Sequence, residues 1–257
     1  MATHLDKPNY PIITLEETDS TNRYLNQLCD TSHSPVTEFT TVCARFQTAG
    51  KGQRGNSWES EKNQNLLFSI VLYPTFLEAR QQFILSQIVS LAIKEELNNW
   101  SNDFSIKWPN DIYYQDKKIC GILIENDLNG IHIGRCICGI GLNINQSRFY
   151  SDAPNPISLK QITGNEEDGN EILHHILQRL QHYYQELATE DFAVFSEKVN
   201  TRYAHSLFRR HGLHVYEDRD GRFKARLLRV ENDGRFILED ENGKERSYLF
   251  KEVQYVL

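Results

Sequence analysis

The stretch FSIKWPNDIYYQDKKICGILIENDLNGIHIGRCICGIGLNIN, Phe104 to Asn145, decides the fold. Its β-type runs are Ser105 to Trp108, Ile112 to Tyr114, Lys118 to Glu125 and Ile131 to Asn145. Turn residues Asn126-Asp127 and Asn129-Gly130 separate the last two, so the stretch predicts a meander of antiparallel hairpins. Upstream, Pro11 to Glu16 reads as a short strand, and Asp19-Ser20 are cap-type residues opening a helix with Arg23-Tyr24-Leu25 and Leu28. Thr40 to Phe46 and Leu66 to Tyr73 are further strands. Glu78 to Trp100 places Phe83, Ile84, Ile88, Leu91, Ala92 and Leu97 at helical spacing, which predicts an amphipathic helix packed across the sheet.

Downstream, Asn170 to Ala188 and Phe192 to Phe208 read as two helices, with Asp191 capping the second. Beyond Arg210 the character changes. Short β-type runs are separated by Asp220-Gly221, Asp233-Gly234 and Asn242-Gly243, dipeptides that favour tight primed turns, and predict a small β-barrel. The fold class is therefore α+β: a mixed, largely antiparallel sheet with helices over residues 1–207, followed by a C-terminal β domain over 208–257.

Composition narrows the function. A net charge of −7 disfavours a large nucleic-acid surface, because neutralising phosphates needs clustered Lys and Arg. No apolar run approaches the roughly 18 to 20 residues of a membrane span. The start Met1-Ala2-Thr3-His4 lacks a secretory pattern, so a cytoplasmic protein is expected. Five cysteines without a C-x-x-C pair, Cys29, Cys43, Cys120, Cys136 and Cys138, read as reduced thiols; Cys136 and Cys138 share one strand face as core. His174, His175 and His182 lie on a polar helical stretch without zinc-helix spacing and are assigned no metal. Glu16, Glu17 and Asp19 read as acidic residues favoured before a helix.

Three segments carry chemistry. In Gln47-Thr48-Ala49-Gly50-Lys51-Gly52-Gln53-Arg54-Gly55, glycines let backbone N–H groups approach an anion while Lys51 and Arg54 supply charge; an exposed turn has the same composition. Lys107-Trp108-Pro109-Asn110-Asp111 gathers a cation, an amide and a carboxylate at one strand end, although the segment by itself reads rather as a turn in which Asn110-Asp111 make local backbone hydrogen bonds and Lys107 lies in water. Lys118 stands at the mouth of an apolar strand beside Gly121, placed either to pair with a buried anion or to face water at a hairpin edge.

Taken in order, Ser20-Thr21-Asn22, Gln47 through Trp58, Lys107 to Asp111, Lys118-Ile119-Cys120-Gly121 and Gly139-Ile140-Gly141-Leu142-Asn143-Ile144-Asn145 resemble the biotin–protein ligases. The resemblance covers the chain from about Leu15 to its C-terminus. It implies a class II synthetase-like catalytic domain with an SH3-like C-terminal barrel. The implied activity makes biotinyl-5′-adenylate from biotin and ATP with Mg²⁺, then biotinylates a lysine of a biotin carboxyl carrier protein domain.

The resemblance also implies roles. Ser20, Thr21, Asn22, Gln47, Lys51, Gly52, Gln53 and Lys118 would bind biotin. Gly50, Lys51, Arg54, Gly55, Trp58, Lys107, Asn110, Gly139, Gly141 and Asn143 would hold ATP and the adenylate. Lys118, Lys107 and Arg54 would be catalytic, and Asp111 is the candidate Mg²⁺ ligand. The loop Gln146 to Ser158 would order around the nucleotide. No enzyme nucleophile is required. Lys51 and Gln53 depart from the family, many members of which carry Arg at both places, removing one fixed charge from the loop. Only about 14 residues precede the first strand's Leu15-Glu16, so the DNA-binding domain of some members is not expected here. A homodimer is compatible with the family. The rival readings are a lipoate or octanoate ligase or transferase of the same superfamily, and a non-catalytic biotin-binding module.

Overall fold

The computed structural model describes residues 10–32, 34–52, 57–150 and 155–257. Seven strands form one mixed sheet: β1 (Ile12–Leu15), β2 (Thr41–Ala44), β3 (Leu66–Leu72), β4 (Phe104–Lys107), β5 (Asp111–Tyr114), β6 (Lys117–Asn129) and β7 (His132–Leu142). Their order is β1-β2-β3-β7-β6-β5-β4. β1 pairs with β2 in parallel, whereas the β2–β3, β3–β7, β4–β5 and β5–β6 pairs are antiparallel. A second, antiparallel sheet holds β8 (His214–Asp218), β9 (Gly221–Val230), β10 (Phe236–Asp240), β11 (Glu245–Tyr248) and β12 (Val253–Tyr255). The α+β expectation holds, with its largely antiparallel sheet and a separate C-terminal sheet. No helix among the described residues is long and apolar enough to cross a membrane.

The chain divides into two compact units, the first of residues 1–75, 121–152 and 158–178, the second of 76–120, 153–157 and 179–257. In the first unit, helix α1 (Thr21–Thr31) buries Leu25 against Val42 of β2, Val71 of β3 and Ile137 of β7. The spacing Tyr24, Leu25, Leu28 puts three apolar residues on the helix face that meets this cluster. Ser20 is the α1 N-cap, but its hydroxyl makes no capping bond. Asp19 Oδ1 accepts instead from the Ser20 N–H at 2.6 Å.

In the second unit, helix α2 (Phe83–Leu97) packs on β4, β5 and helix α5 (Phe192–Ser206). The sequence predicts an amphipathic helix, yet α2 is buried on nearly every face, including Ser86, Gln87, Ser90 and Glu96. Those polar positions find partners: Gln87 Nε2 donates to Asn200 Oδ1 at 2.8 Å, Ser90 Oγ to the Ser86 carbonyl at 2.5 Å, and Arg179 Nε to Glu96 Oε2 at 3.1 Å. A helix between a sheet and another helix can bury polar side chains when each is hydrogen-bonded. Asp191 caps α5 as expected, accepting from Ala193 N and Val194 N.

Of the two predicted turns between β6 and β7, the structure keeps Asn129-Gly130 and differs at Asn126-Asp127. Asn126-Asp127 lies inside β6, which runs on to Asn129; the hairpin turns only at Gly130, whose φ is +62°. Ser158 opens a short helix α3 (Leu159–Thr163) through a capping box with Gln161, and helix α4 (Gly169–Thr189) follows. In the C-terminal sheet, Gly221, Gly234 and Gly243 adopt positive φ at the three predicted turns. Trp108 lies beside that sheet's core, stacked on Phe236 at 4.8 Å, and its Nε1–H donates to the Gly234 carbonyl at 2.9 Å.

Candidate functional site

The Gly-rich loop leaves β2 and runs back alongside the chain that enters α1. Thr18 and Gln47 form a parallel bridge, Thr48 N donates to the Thr18 carbonyl at 2.9 Å, and Ala49 N donates to the Asp19 carbonyl at 3.0 Å. This course brings Gln47 to the first turn of α1, where its Oε1 accepts from Thr21 N at 2.7 Å and lies 3.1 Å from Thr21 Oγ1. Ser69 of β3 stands behind the helix end, its Oγ 2.7 Å from Thr21 Oγ1 and 2.6 Å from Asn22 Oδ1. Asn22 Nδ2 donates to Glu125 Oε2 of β6 at 2.8 Å. Ser20, Thr21, Asn22 and Ser69 are all buried.

Gly139 is what admits Asn22, because a Cβ there would fall 2.0 Å from Asn22 Oδ1. Gly141 does the same for Trp58, whose ring carbon Cε2 would lie 2.4 Å from an added Cβ. Both glycines sit on β7, so strand alternation puts them on one face, with an amide over one and an indole over the other. Trp58 N donates to the Gly50 carbonyl at 2.9 Å, and Lys51 bridges to Ser57, closing the loop base. Lys51 is exposed, Gly50 buried and Gly52 half-buried. Gln53, Arg54 and Gly55 lie outside the described residues. Asn143 is buried just past β7, its carbonyl accepting from Leu159 N at 3.1 Å.

The second unit holds a cationic group of side chains. Lys107 ends β4 opposite Asp111 of β5, and Lys118 of β6 donates to Asp111 Oδ2 at 2.6 Å. Lys107 Nζ donates to Tyr113 Oη at 3.0 Å and stands over the rings of Tyr113 and Tyr255, 4.7 and 5.2 Å from their centroids. Burial holds the Lys107 ammonium down to about 8; Asp111 opposes this, and the fields of Lys118 and Arg209 add to it. One carboxylate, bonded to Lys118, is thus set against two lysines, and Lys107 also lies in the field of Arg209, a balance suited to an incoming anion. Asn110 is buried between the two strands' ends. The backbone from Asn155 pairs with β6: Lys118 N donates to the Asn155 carbonyl at 2.8 Å, and Ile157 N to the Lys118 carbonyl at 3.0 Å.

Sequence reasoning did not single out Ser69, Glu125, Tyr113 or Arg209. Each is an ordinary residue of a strand or loop, with no local pattern to mark it. Burial pushes the thiol of Cys43 up to about 12 and raises that of Cys120 further, so neither is a ready nucleophile. Among the described residues no three His, Cys, Asp or Glu side chains come together as a metal cage. A divalent cation near Asp111 would therefore draw on one carboxylate, with phosphate oxygens and water completing its shell, a mode that suits Mg²⁺.

Comparison with known proteins gives a consistent answer. The sequence model of the Biotin/lipoate A/B protein ligase family matches residues 14–143, just over half of the 257 residues. The chain is 30% identical over 188 residues to the biotin–[acetyl-CoA-carboxylase] ligase of Paracoccus denitrificans, covering 70% of this chain and 75% of that one. It is 28% identical over 223 residues to the bifunctional ligase/repressor BirA of Bacillus subtilis, covering 82% of this chain and 65% of that relative, so it spans less than two thirds of the latter's length. Among solved structures, the biotin protein ligase from Aquifex aeolicus in complex with biotin and ATP superposes with a TM-score of 0.75 at 28% identity, covering 96% of this chain and 99% of that one. On the family match and the similarity to the Paracoccus enzyme, the chain belongs to the Biotin/lipoate A/B protein ligase family.

Proposed function

We propose that this chain is a biotin–protein ligase, activating biotin with ATP and transferring it to one lysine of a biotin carboxyl carrier protein domain. The observation that carries the reading is the full-length likeness to a ligase solved with biotin and ATP. In the proposed first step a biotin carboxylate oxygen attacks the α-phosphorus of ATP, the bond to the β-phosphate oxygen breaks, and pyrophosphate leaves. Two anions must meet, and Lys107, Lys118, Arg54 and Lys51 are the proposed cations that offset their repulsion. In the second step a neutral carrier amine attacks the acyl carbon, the bond to the adenylate oxygen breaks, AMP leaves, and the nitrogen gives up a proton.

Ser20, Thr21, Asn22, Gln47, Gly52 and Gln53 are proposed biotin contacts, with Lys118 on its carboxylate. Gly50, Gly55, Trp58, Asn110, Gly139, Gly141 and Asn143 are proposed around the nucleotide. Asp111 is the proposed protein ligand of Mg²⁺, which when bound with ATP neutralises phosphate charge. The division into a ligase domain, 1–207, and a C-terminal domain, 208–257, remains part of the proposal, as do a homodimer and a cytoplasmic setting.

Biotin-dependent exchange of labelled pyrophosphate into ATP tests the first step. Exchange with biotin and none with lipoate is the expected result. Exchange driven by lipoate or octanoate alone would move the chain to another branch of its family. Biotin binding without any exchange would make it a non-catalytic binder.

A further inference from the structure

The C-terminal segment meets Ile106, Lys107 and Trp108 in turn. β4 is an edge strand of the large sheet. An edge leaves backbone groups open, and the chain leaving α5 covers some of them: Leu207 bridges to Ile106 in parallel, and Phe208 N donates to the Ile106 carbonyl at 2.9 Å. Trp108 stacks on Phe236 and stands 5.8 Å from the Phe250 ring. Lys107, between those two residues, reaches Tyr255 of β12 as well as Tyr113 of β5.

Tyr255 has a fixed place. β12 pairs with β8, setting Tyr255 opposite Tyr216. Its ring meets those of Tyr216, Phe236 and Phe208 at 5.2, 5.8 and 5.7 Å, with interplanar angles of 53°, 47° and 46°. None of these three rings lies flat on it; Lys107 Nζ is the group over its face, 5.2 Å from the centroid. Phe208 also meets the Tyr113 ring, at 5.5 Å, so one phenylalanine braces both tyrosines.

The charges around Lys107 do not hold it by themselves. Asp111 attracts it but also accepts from Lys118, while Lys118 and Arg209 oppose its charge. A ring face attracts an ammonium through its quadrupole and adds no net charge. A carboxylate in the same place would neutralise the cation, whereas two tyrosine faces hold it and leave its charge for an anion. Of the three N–H donors of the ammonium, one goes to Tyr113 Oη, and among the described residues no other acceptor takes a second.

We propose that Tyr255 is a positioning residue for nucleotide binding: with Tyr113 it holds the Lys107 ammonium against two ring faces and keeps its remaining N–H donors for a phosphate oxygen. The inference rests on the ligase reading in one respect, that the phosphate belongs to ATP. The ring of Tyr255 does this, not its hydroxyl.

The test replaces Tyr255 by phenylalanine and by mono-, di- and trifluorinated phenylalanines, which drain negative charge from the ring face in steps while keeping its shape. Kd for ATP is measured by calorimetry, with Lys107 present and in the Lys107→Met background. Tyr255→Phe should bind ATP within about twofold of wild type, and the trifluorinated ring roughly fivefold more weakly, with Kd for biotin unchanged. In the Lys107→Met background the series should be flat. A flat series with Lys107 present would overturn the proposal, and so would an equal slope without it. Proton NMR of the ligand-free protein reads the cage directly: ring currents should move the Lys107 ε-methylene signals upfield in wild type, and the shift should shrink in Tyr255→Leu. Unshifted wild-type signals would likewise overturn the proposal. Wild-type protein that shows the shift yet binds no nucleotide would instead bring down the ligase reading.

Discussion

Replacing Lys107 by Met should make the protein more stable and less active at once. Lys107 is held down to about 8 from 10.5, chiefly by burial. At about 1.4 kcal/mol per pH unit, that depression corresponds to a cost of about 3 kcal/mol for keeping the ammonium charged in the folded protein, trimmed by its partial exposure. Methionine keeps the apolar stem and removes the cost. It also loses the contacts with the Tyr113 and Tyr255 rings and the bond to Tyr113 Oη, together worth about 1 kcal/mol. The net expectation at pH 7 is a gain of about 1 to 2 kcal/mol, or several degrees in melting temperature. The pH dependence has a definite sign. Between about 8 and 10.5 the unfolded chain still binds the Lys107 proton while the folded chain has released it, so wild-type stability from this group rises with pH. The variant's advantage should therefore be full below pH 8 and vanish by about 10.5. Urea unfolding of both proteins at pH 7 and pH 10 measures this, beside pyrophosphate exchange, which should fall to background. A Lys107→Met protein less stable than wild type at pH 7, or a difference that does not shrink on raising the pH, would refute the reasoning.

Other outcomes follow from the same geometry. Since an ammonium must be charged to hold a phosphate, nucleotide affinity should weaken as pH rises through about 8, and the dependence should flatten in Lys107→Met; calorimetry at pH 7 and pH 9 measures both. Gly141→Ala drives a Cβ into the Trp58 ring, so ATP binding should weaken at least tenfold by displacing Trp58, read as tryptophan fluorescence and Kd together. Lys118→Ala should abolish exchange while the circular dichroism spectrum stays native, because the ion pair it removes is only partly buried. Asp191→Ala removes two hydrogen bonds at the α5 N-terminus and should cost about 1 kcal/mol in unfolding with exchange unaffected.

Local chemistry made most of the frame legible. Gly221, Gly234 and Gly243 turn where the sequence places them, since an Asp-Gly or Asn-Gly pair carries its own backbone preference. Asn126-Asp127 misled because turn residues in an exposed strand look the same as residues of a turn; pairing along β6 overrides the local preference. The α2 stripe was visible, but its burial on the other faces depends on α5, more than a hundred residues on, which periodicity cannot report. The Ser158–Gln161 capping box was available to a closer reading. At the site, Thr21, Asn22, Gln47 and Gly139 meet because the loop after β2 folds back on α1 and Gly139 leaves a space. Glu125 and Ser69 carry no local signal, because an exposed carboxylate within a strand and a serine in an apolar strand acquire meaning only from what stands opposite. The depressed ammonium of Lys107 is likewise a property of Tyr113, Tyr255 and Arg209 around it rather than of its own segment.

The most direct test of the account is transfer itself. The protein is incubated with biotin, Mg-ATP and a biotin carboxyl carrier domain, and the carrier is weighed intact and mapped by peptide mass spectrometry. A single biotinyl group on one carrier lysine, dependent on ATP, is the predicted result; a carrier that stays unmodified while the protein remains folded and binds nucleotide would contradict it.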